Sequence, residues 1–439
     1  MALSPYLNSM RLYWAKLIIA LTLVGLSVSM GWASSVQVVD INLPSGEEVP
    51  VTRYAAKGER VILWLPSEFG LQPQHQALAL ALQGLGVETW LADLHTAYFE
   101  PHGRNSVKVF QSQDIAKLIE QVIGETRRKV FVVSSQGGAR AVLNGARAWQ
   151  LAHPGDKTLG GLILFHPVLY AQRPVLGQDA QYLPVVRATN LPVHIIQPSV
   201  STSALRVPVL MAALAKGGAQ VSITRLKGVE SGYHVRADDQ VGTADLKARR
   251  ALPSLMIDIM GRLSTLSLPT QAAALLSPVP LSSKAKIGLA KYRTATSTAS
   301  LALEDLSGKL HALKDYRGQV VLLSFWASWC PPCVKEMPSQ NRLQHRFYNK
   351  SLRILGVNVG EDAGTVNKFL SKVDVNFTIL LDEDQRAYKD WKVYVVPTNF
   401  LIDKQGRIRY GSVGAADWDD PDVINIVARL LGETAPPIH

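Results

Sequence analysis

The feature that most constrains this chain is the motif CPPC at 330–333, which contains both cysteines of the 439-residue sequence. It follows an apolar run over 320–325 that predicts a buried strand, and it opens a predicted helix over 331–350. Proline fits the first turn of a helix because the amide groups there lack intrahelical partners. Cys330 is therefore predicted at a helix N-terminus, where the helix dipole stabilises a thiolate. Cys333, one turn further in, is predicted to be the more buried, resolving thiol.

Two other uses of a Cys-x-x-Cys pair are a zinc half-site and a structural disulfide. A tetrahedral zinc site needs two further ligands, and the sequence has no other cysteine and no close His-x-His pair near the motif. Structural disulfides usually close longer loops, since the stabilisation grows with loop length. The motif thus favours thiol–disulfide exchange, with no metal and no cofactor beyond the redox-active disulfide Cys330–Cys333.

Length and charge set the outer bounds. A chain of 439 residues with 47% hydrophobic residues is expected to form two domains or more. Its net charge of +11 is spread along the sequence without long Lys/Arg blocks. This pattern is typical of a basic but ordinary surface, and no nucleic-acid partner is expected.

Residues 1–33 have the pattern of a targeting segment. Arg11 and Lys16 precede an apolar run over 17–28, and the small residues Gly31 and Ala33 follow it. This predicts a cleaved signal peptide. An uncleaved membrane anchor remains the alternative, because the apolar stretch is near the lower limit for spanning a bilayer. Either outcome places the rest of the chain in the periplasm or another extracytoplasmic compartment, soluble or anchored.

Between residues 35 and 265, strand and helix patterns alternate, which predicts a mostly parallel sheet covered on both faces. The segment VSSQGG at 133–138 lies between a predicted strand and helix. With the order of the elements, it resembles the nucleophile turn of the α/β-hydrolase fold. That resemblance assigns Ser135 as the nucleophile and His234 as the catalytic histidine. Val133 departs from it, because the family usually has glycine there.

Other parts of a hydrolase site are missing from this region. The segment 197–202, where the family has its acid, holds no carboxylate, although Glu230 is near His234 in sequence. The loop 67–70 lacks the family's His-Gly pattern. Two hypotheses therefore stay open. One is an exported serine esterase that uses Ser135 and His234, and the other is a catalytically silent module that docks the redox target.

Residues 266–300 lose apolar periodicity, contain several prolines and are predicted to be a linker. The segment 301–434 then resembles the TlpA/ResA group of extracytoplasmic thioredoxin-like proteins. The motifs that carry the resemblance are DLSGK at 305–309, YRG at 316–318, FWASWCPPC at 325–333, EMP at 336–338 and VVPT at 395–398. The predicted fold class is thus α/β, with two domains: a hydrolase-like doubly wound sheet followed by a thioredoxin fold.

The resemblance to the TlpA/ResA group also implies roles for single residues and partners. Pro397 would be cis and face the cysteine pair, which leaves the Val396 backbone free to pair with a substrate peptide; a trans proline ending a loop is the alternative. Glu336 shares a helix face with Cys333 and would act as a proton acceptor or pKa modulator; a solvated carboxylate is the alternative.

The implied activity is reduction of specific exported proteins, such as apocytochrome c or copper-site assembly proteins. A membrane electron carrier of the DsbD/CcdA type would return the electrons. An oxidase or isomerase would instead need an unusually stabilised Cys330 thiolate.

Overall fold

The computed structural model describes residues 36–172, 174–275, 289–292 and 300–432. The predicted targeting segment, residues 1–33, lies outside the described residues. In the described ranges, no helix is both long enough and apolar enough to cross a membrane.

The N-terminal half of the chain is built on an eight-stranded sheet. Its strands are β1 (Val36–Asn42), β2 (Glu48–Tyr54), β3 (Arg60–Trp64), β4 (Glu88–Ala92), β5 (Lys129–Ser135), β6 (Leu159–Phe165), β7 (Val193–Val200) and β8 (Val221–Glu230). Their order is β1-β2-β4-β3-β5-β6-β7-β8. Strand β2 is antiparallel to both neighbours, and the remaining pairs are parallel. Every residue of β4 and β6 is buried, which explains the absence of polar side chains from β6.

Helices cover both faces of this sheet. They are α1 (Pro73–Gly84), α2 (Leu94–Ala97), α3 (Ser112–Thr126), α4 (Ala139–Ala152), α5 (Val207–Lys216) and α6 (Thr243–Ser264). Along β5, Val130 and Val132 pack in one core with α3 and α4. The alternate residues Phe131 and Val133 pack in the other core with α1 and α6. The prediction of a mostly parallel sheet with helices on both faces is confirmed.

The C-terminal part of the chain forms a six-stranded sheet and a separate two-stranded hairpin. Its strands are β9 (Ala290–Lys291), β10 (Ala302–Glu304), β11 (Leu310–Ala312), β12 (Val320–Trp326), β13 (Leu352–Val359), β14 (Thr378–Asp382), β15 (Thr398–Ile402) and β16 (Ile408–Val413). The larger sheet has the order β14-β13-β12-β15-β16-β9, and β10 pairs with β11. Its helices are α7 (Pro331–Phe347), α8 (Ala363–Leu370), α9 (Arg386–Asp390) and α10 (Pro421–Gly432). This arrangement is the predicted thioredoxin fold.

The described residues of the segment predicted as a linker make backbone hydrogen bonds with both domains. The carbonyl groups of Ser267, Thr270 and Gln271 accept hydrogen bonds from the first domain. At the other end, β9 pairs with β16 and extends the second sheet. These contacts could not be predicted from the sequence, because backbone hydrogen bonds leave no periodic apolar pattern in it.

The two sheets are joined by direct contacts. Leu205 is buried in the same apolar cluster as the core of the second sheet. The neighbouring Arg206 is 7% exposed, and its Nε and Nη2 atoms donate to the carbonyl oxygen of Val393 at 3.0 and 2.8 Å. Its Nη2 also donates to the carbonyl of Tyr388 at 3.1 Å. At the rim, Lys392 pairs with Asp179 at 3.0 Å.

The turn after β5 requires glycine at one position for steric reasons. A Cβ atom on Gly138 would lie 2.1 Å from Oγ of Ser134 and 2.4 Å from the carbonyl oxygen of Pro66. We predict that Gly138→Ala lowers the free energy of unfolding by about 1–3 kcal/mol, the usual cost of overpacking. Urea denaturation of the full chain, followed by hydrogen exchange of the β5 amides, measures this.

Gly124 is the matched control because it is an exposed residue within α3 and a Cβ there meets nothing within 4 Å. Gly124→Ala should stabilise the same region by about 0.5–1 kcal/mol through helix propensity. Equal stability of the two variants would contradict the steric explanation for Gly138.

Candidate functional site

The two cysteines form a disulfide where α7 begins. Their Cα atoms lie 5.3 Å apart, and Cys330 and Cys333 are 4% and 1% exposed. The amide N–H of Cys333 donates to Sγ of Cys330 at 3.3 Å. An N–H group that points at this sulfur from a helix N-terminus stabilises negative charge on it when the disulfide is opened. The local geometry therefore favours a thiolate on Cys330.

The peptide bond between Val396 and Pro397 is cis. Pro397 immediately precedes β15, and the antiparallel register pairs Thr398 with Phe325 at the end of β12. The chain leaves β12 directly into the cysteine segment, so this register brings the cis proline loop to the same end of the sheet. Val396 accordingly packs in one apolar cluster with both cysteines.

Glu336 lies one helical turn after Cys333 and is 3% exposed. Its Oε1 accepts hydrogen bonds from Nε2 of Gln340 at 3.0 Å and from Nδ2 of Asn399 at 3.3 Å. Its Oε2 accepts from the amide of Ala416 at 2.9 Å. Burial raises the pKa of Glu336 to about 7, although these hydrogen bonds oppose the shift. This buried carboxyl group therefore gains or loses its proton near neutral pH, unlike a solvated surface carboxylate.

Glu361 is a part of the site that sequence reasoning missed. Its Oε2 accepts from the amide of Ser328 at 2.8 Å and from Nδ2 of Asn358 at 2.8 Å. Its Oε1 accepts from the Ser328 hydroxyl. These bonds hold the segment that leads into Cys330. The available signal was Asn358, a polar residue within the apolar run at the end of strand β13, because a buried amide needs a partner.

The two tryptophans of the motif differ in position. Trp326 is 2% exposed and contacts the ring of Phe369 with centroids 5.3 Å apart. Trp329, next to Cys330, is only partly buried and packs at the edge of the same cluster. Trp326 therefore belongs to the core, while Trp329 is available at the surface beside the disulfide.

The predicted nucleophile turn of the first domain is shifted by one residue. Ser135 has extended backbone angles, with φ −122° and ψ 158°, and is 2% exposed. The residue with positive φ after β5 is Gln136, at 48°. The small residues two before and two after it are Ser134 and Gly138. Glutamine therefore occupies the strained position where the prediction expects a serine nucleophile.

The predicted partner, His234, is not paired with Ser135. The residue is 2% exposed, and neither ring nitrogen has a hydrogen-bond partner among the described residues. It stacks on Phe165 with centroids 4.6 Å apart, and burial lowers its pKa well below the ordinary value. Glu230 pairs with Arg236 at 2.9 Å instead of orienting the histidine. His234 is thus a neutral ring within an aromatic core.

The amide that follows the strained residue is also occupied. Oε2 of Glu68 accepts a hydrogen bond from the Gly137 N–H at 2.8 Å. In a serine hydrolase that amide would bind the developing oxyanion. The strained turn of the first domain therefore has neither a nucleophile at the strained position nor a free amide beside it.

Comparison with known proteins identifies the second domain. Residues 295–411 match the AhpC/TSA family. A thiol-disulfide oxidoreductase ResA from Geobacillus thermodenitrificans is 39% identical over 132 residues, which are 29% of this chain and 76% of the relative. The chain belongs to the ResA family of thiol-disulfide oxidoreductases. The ResA of Bacillus subtilis is 38% identical over 109 residues, 25% of this chain and 61% of that protein.

Among solved structures, a thiol:disulfide interchange protein of the thioredoxin family from Chlorobium tepidum is 25% identical. It has a TM-score of 0.29 and covers 32% of this chain and 99% of that chain. The ResA relationship confirms the predicted TlpA/ResA resemblance and makes the chain a thiol–disulfide oxidoreductase. The AhpC/TSA match begins at residue 295, after the last strand of the eight-stranded sheet, so it does not include the first domain.

The raised pKa of Glu336 predicts a pH-dependent stability of the ResA-like domain. An unfolded glutamate titrates at its ordinary value, whereas the folded one titrates near 7, so folding favours the protonated form. The corresponding stability is present below the unfolded pKa and is lost as the pH rises through 7. We expect Glu336→Gln to be more stable than the parent at pH 8 by up to about 3 kcal/mol, with the difference shrinking towards pH 5.

Urea denaturation of the oxidised full chain between pH 5 and 8 checks this expectation. Glu383, an exposed glutamate on the loop after β14, provides the control. If the stability difference for Glu336→Gln is as flat with pH as that for Glu383→Gln, the buried carboxyl group does not titrate as described.

Proposed function

We propose that this oxidoreductase is a reductase of disulfides in specific exported proteins. The observation that carries the proposal is Glu336, a buried carboxyl group with a pKa of about 7, on the helical face of Cys333. A group that titrates near neutral pH can accept the proton that the resolving thiol must lose. This favours resolution of mixed disulfides, the second step of substrate reduction.

In the proposed reaction, the Cys330 thiolate attacks one sulfur of a substrate disulfide, and the other substrate sulfur leaves as a thiolate and takes up a proton. Glu336 then accepts the Cys333 proton, and Cys333 attacks Cys330. The first substrate sulfur leaves as a thiolate and takes up the proton held by Glu336, and the enzyme retains the Cys330–Cys333 disulfide. The substrate thus gains two electrons from the two cysteines, one proton from Cys333 through Glu336 and one proton from solvent. The cis Val396–Pro397 loop would hold the substrate peptide through its backbone.

The proposed setting is extracytoplasmic. The sequence pattern of residues 1–33 supports export by a signal peptide or a membrane anchor. The chain has two cysteines, so in an oxidising compartment the redox pair has no further thiol of the same chain with which to exchange. The resemblance supports apocytochrome c or copper-site assembly proteins as substrates and a membrane carrier of the DsbD/CcdA type as electron source.

Single-turnover reduction of insulin by the prereduced protein tests the reductase proposal. We expect Cys330→Ser to be inactive and Cys333→Ser to accumulate a mixed disulfide, because only the resolving thiol is missing. Glu336→Gln should slow resolution about 100-fold at pH 7, the typical lower contribution of a general base. It should also remove an apparent pKa near 7 from the pH profile.

Equilibration with glutathione buffers completes this test. A potential near the oxidising end of the thioredoxin-fold range, about −120 mV, would contradict the reductase role, and a value near −270 mV would support it.

We further propose that the first domain is a catalytically silent, α/β-hydrolase-like binding module. Its mostly parallel sheet and the strained turn after β5 support the hydrolase-like relationship. Gln136 at the strained position and Glu68 on the Gly137 amide support the loss of hydrolysis. No observation favours the alternative of an esterase that uses Ser135 and His234.

Labelling with a fluorophosphonate probe tests whether the first domain is silent. We expect no covalent labelling of the full chain, because Ser135 is buried and has no histidine partner in the described part of the chain. Ser135→Ala is the control variant. Labelling of the parent that Ser135→Ala abolishes would overturn this proposal and restore the esterase.

A further inference from the structure

A cavity of about 590 Å³ lies where the two domains meet. The first domain contributes Gln136 from the strained turn and Arg140 from the first turn of α4. The second domain contributes Tyr394 and Val395. This volume is in the range of sites that hold small ligands or peptide side chains.

The cavity is positively charged. Its lining includes four cationic side chains, Arg104, Lys108, Arg140 and Arg206, and one carboxylate, Glu68. The guanidinium group of the half-buried Arg140 has no hydrogen bond or ion pair with any other described residue. Arg206 is buried against carbonyl groups and the rings of Tyr388 and Tyr394, and no carboxylate of the described residues pairs with it. The unpaired guanidinium group of Arg140 is therefore the one suited to bind a carboxylate in two-point contact.

A second, independent feature points to a ligand. Gln197 lines the cavity and is 1% exposed. Its Nε2 donates to Pro198 O, Ser201 Oγ and Ser203 Oγ, but its buried Oε1 has no partner within the described chain. An unpaired buried acceptor is costly, and an N–H group of a bound molecule would satisfy it. The cavity thus combines sites for a carboxylate and for an N–H donor, both of which a peptide carries.

The position of the cavity connects it to the redox centre. Tyr394 and Val395 in its wall immediately precede Val396 and the cis Pro397. Consecutive Cα atoms are about 3.8 Å apart, so the wall starts within about 8 Å of the proposed peptide-pairing position. A peptide held at Val396 can therefore place a neighbouring side chain in the cavity.

We propose that this cavity receives a segment of the redox substrate in which an aspartate or glutamate lies a few residues from the reactive cysteine. The acidic side chain binds Arg140, and a backbone N–H of the segment binds Gln197 Oε1. The first domain would thereby select the substrates that the second domain reduces. This inference rests on the proposed reductase function and adds a substrate class to it.

Two model disulfide peptides test the inference with the prereduced full chain. They share one sequence and differ by a single glutamate or glutamine three residues from the cysteine. We expect kcat/KM for the glutamate peptide to exceed that for the glutamine peptide about tenfold, the effect of one charge-assisted contact. Arg140→Gln should reduce this ratio to near one. Arg250→Gln, which changes an exposed arginine of α6 outside the cavity, should leave the ratio unchanged.

If Arg140→Gln does not fold, the exposed cavity-lining Lys108 provides a second variant, and Lys108→Gln should lower the ratio at least twofold. Equal rates for the two peptides in the parent would overturn the inference while leaving the reductase function intact. Reduction of neither peptide would instead contradict the reductase function. Inhibition by free succinate without any peptide preference would overturn the peptide as occupant in favour of a small carboxylate ligand.

Discussion

The antiparallel pairing of β12 with β15 is the contact on which the redox site depends. It sets Phe325 opposite Thr398, and so brings the segment leading to Cys330 and the loop containing cis Pro397 to one end of the sheet. The same pairing places Asn399 where its amide reaches Glu336. A slip of one residue would turn each β15 side chain to the opposite face, and the carboxyl group would lose a donor. Register in this one pair therefore controls both the geometry and the acidity of the site.

The contact between domains depends on a different kind of interaction, a buried charge. Arg206 is enclosed by backbone carbonyls and aromatic rings of the second domain. Removing a guanidinium group from water costs several kcal/mol unless its donors are satisfied. Burial of Arg206 between the domains is therefore favourable only when the 388–393 segment accepts its hydrogen bonds. That segment leads directly into Val396. The relative position of the domains and the shape of the peptide-binding loop are consequently linked.

Features set by local sequence could be predicted, and features set by distant contacts could not. Strand, proline and cysteine follow one another within 320–333, so the helix N-terminal position of Cys330 needs only local rules. The spacing of Cys333 and Glu336 shows their shared face, but the burial of Glu336 depends on Asn399 and Ala416, which are 63 and 80 residues away. The contacts of Arg206 with residues 388–393 lie still further apart, and nothing in the sequence around Arg206 indicates them.

The one-residue error at the turn after β5 has a steric origin. The run 133–138 allows two turns, one centred on Ser135 with Val133 and Gly137 two residues away, and one centred on Gln136 with the smaller Ser134 and Gly138 two residues away. The known chemistry of serine favours the first, but packing selects the second, because only glycine fits at 138 against Ser134 and Pro66. A turn that is strained at glutamine has a steric cost without supplying a nucleophile. Gln136 has a positive φ and lines the cationic cavity, so the strained turn is better explained by ligand binding than by hydrolysis.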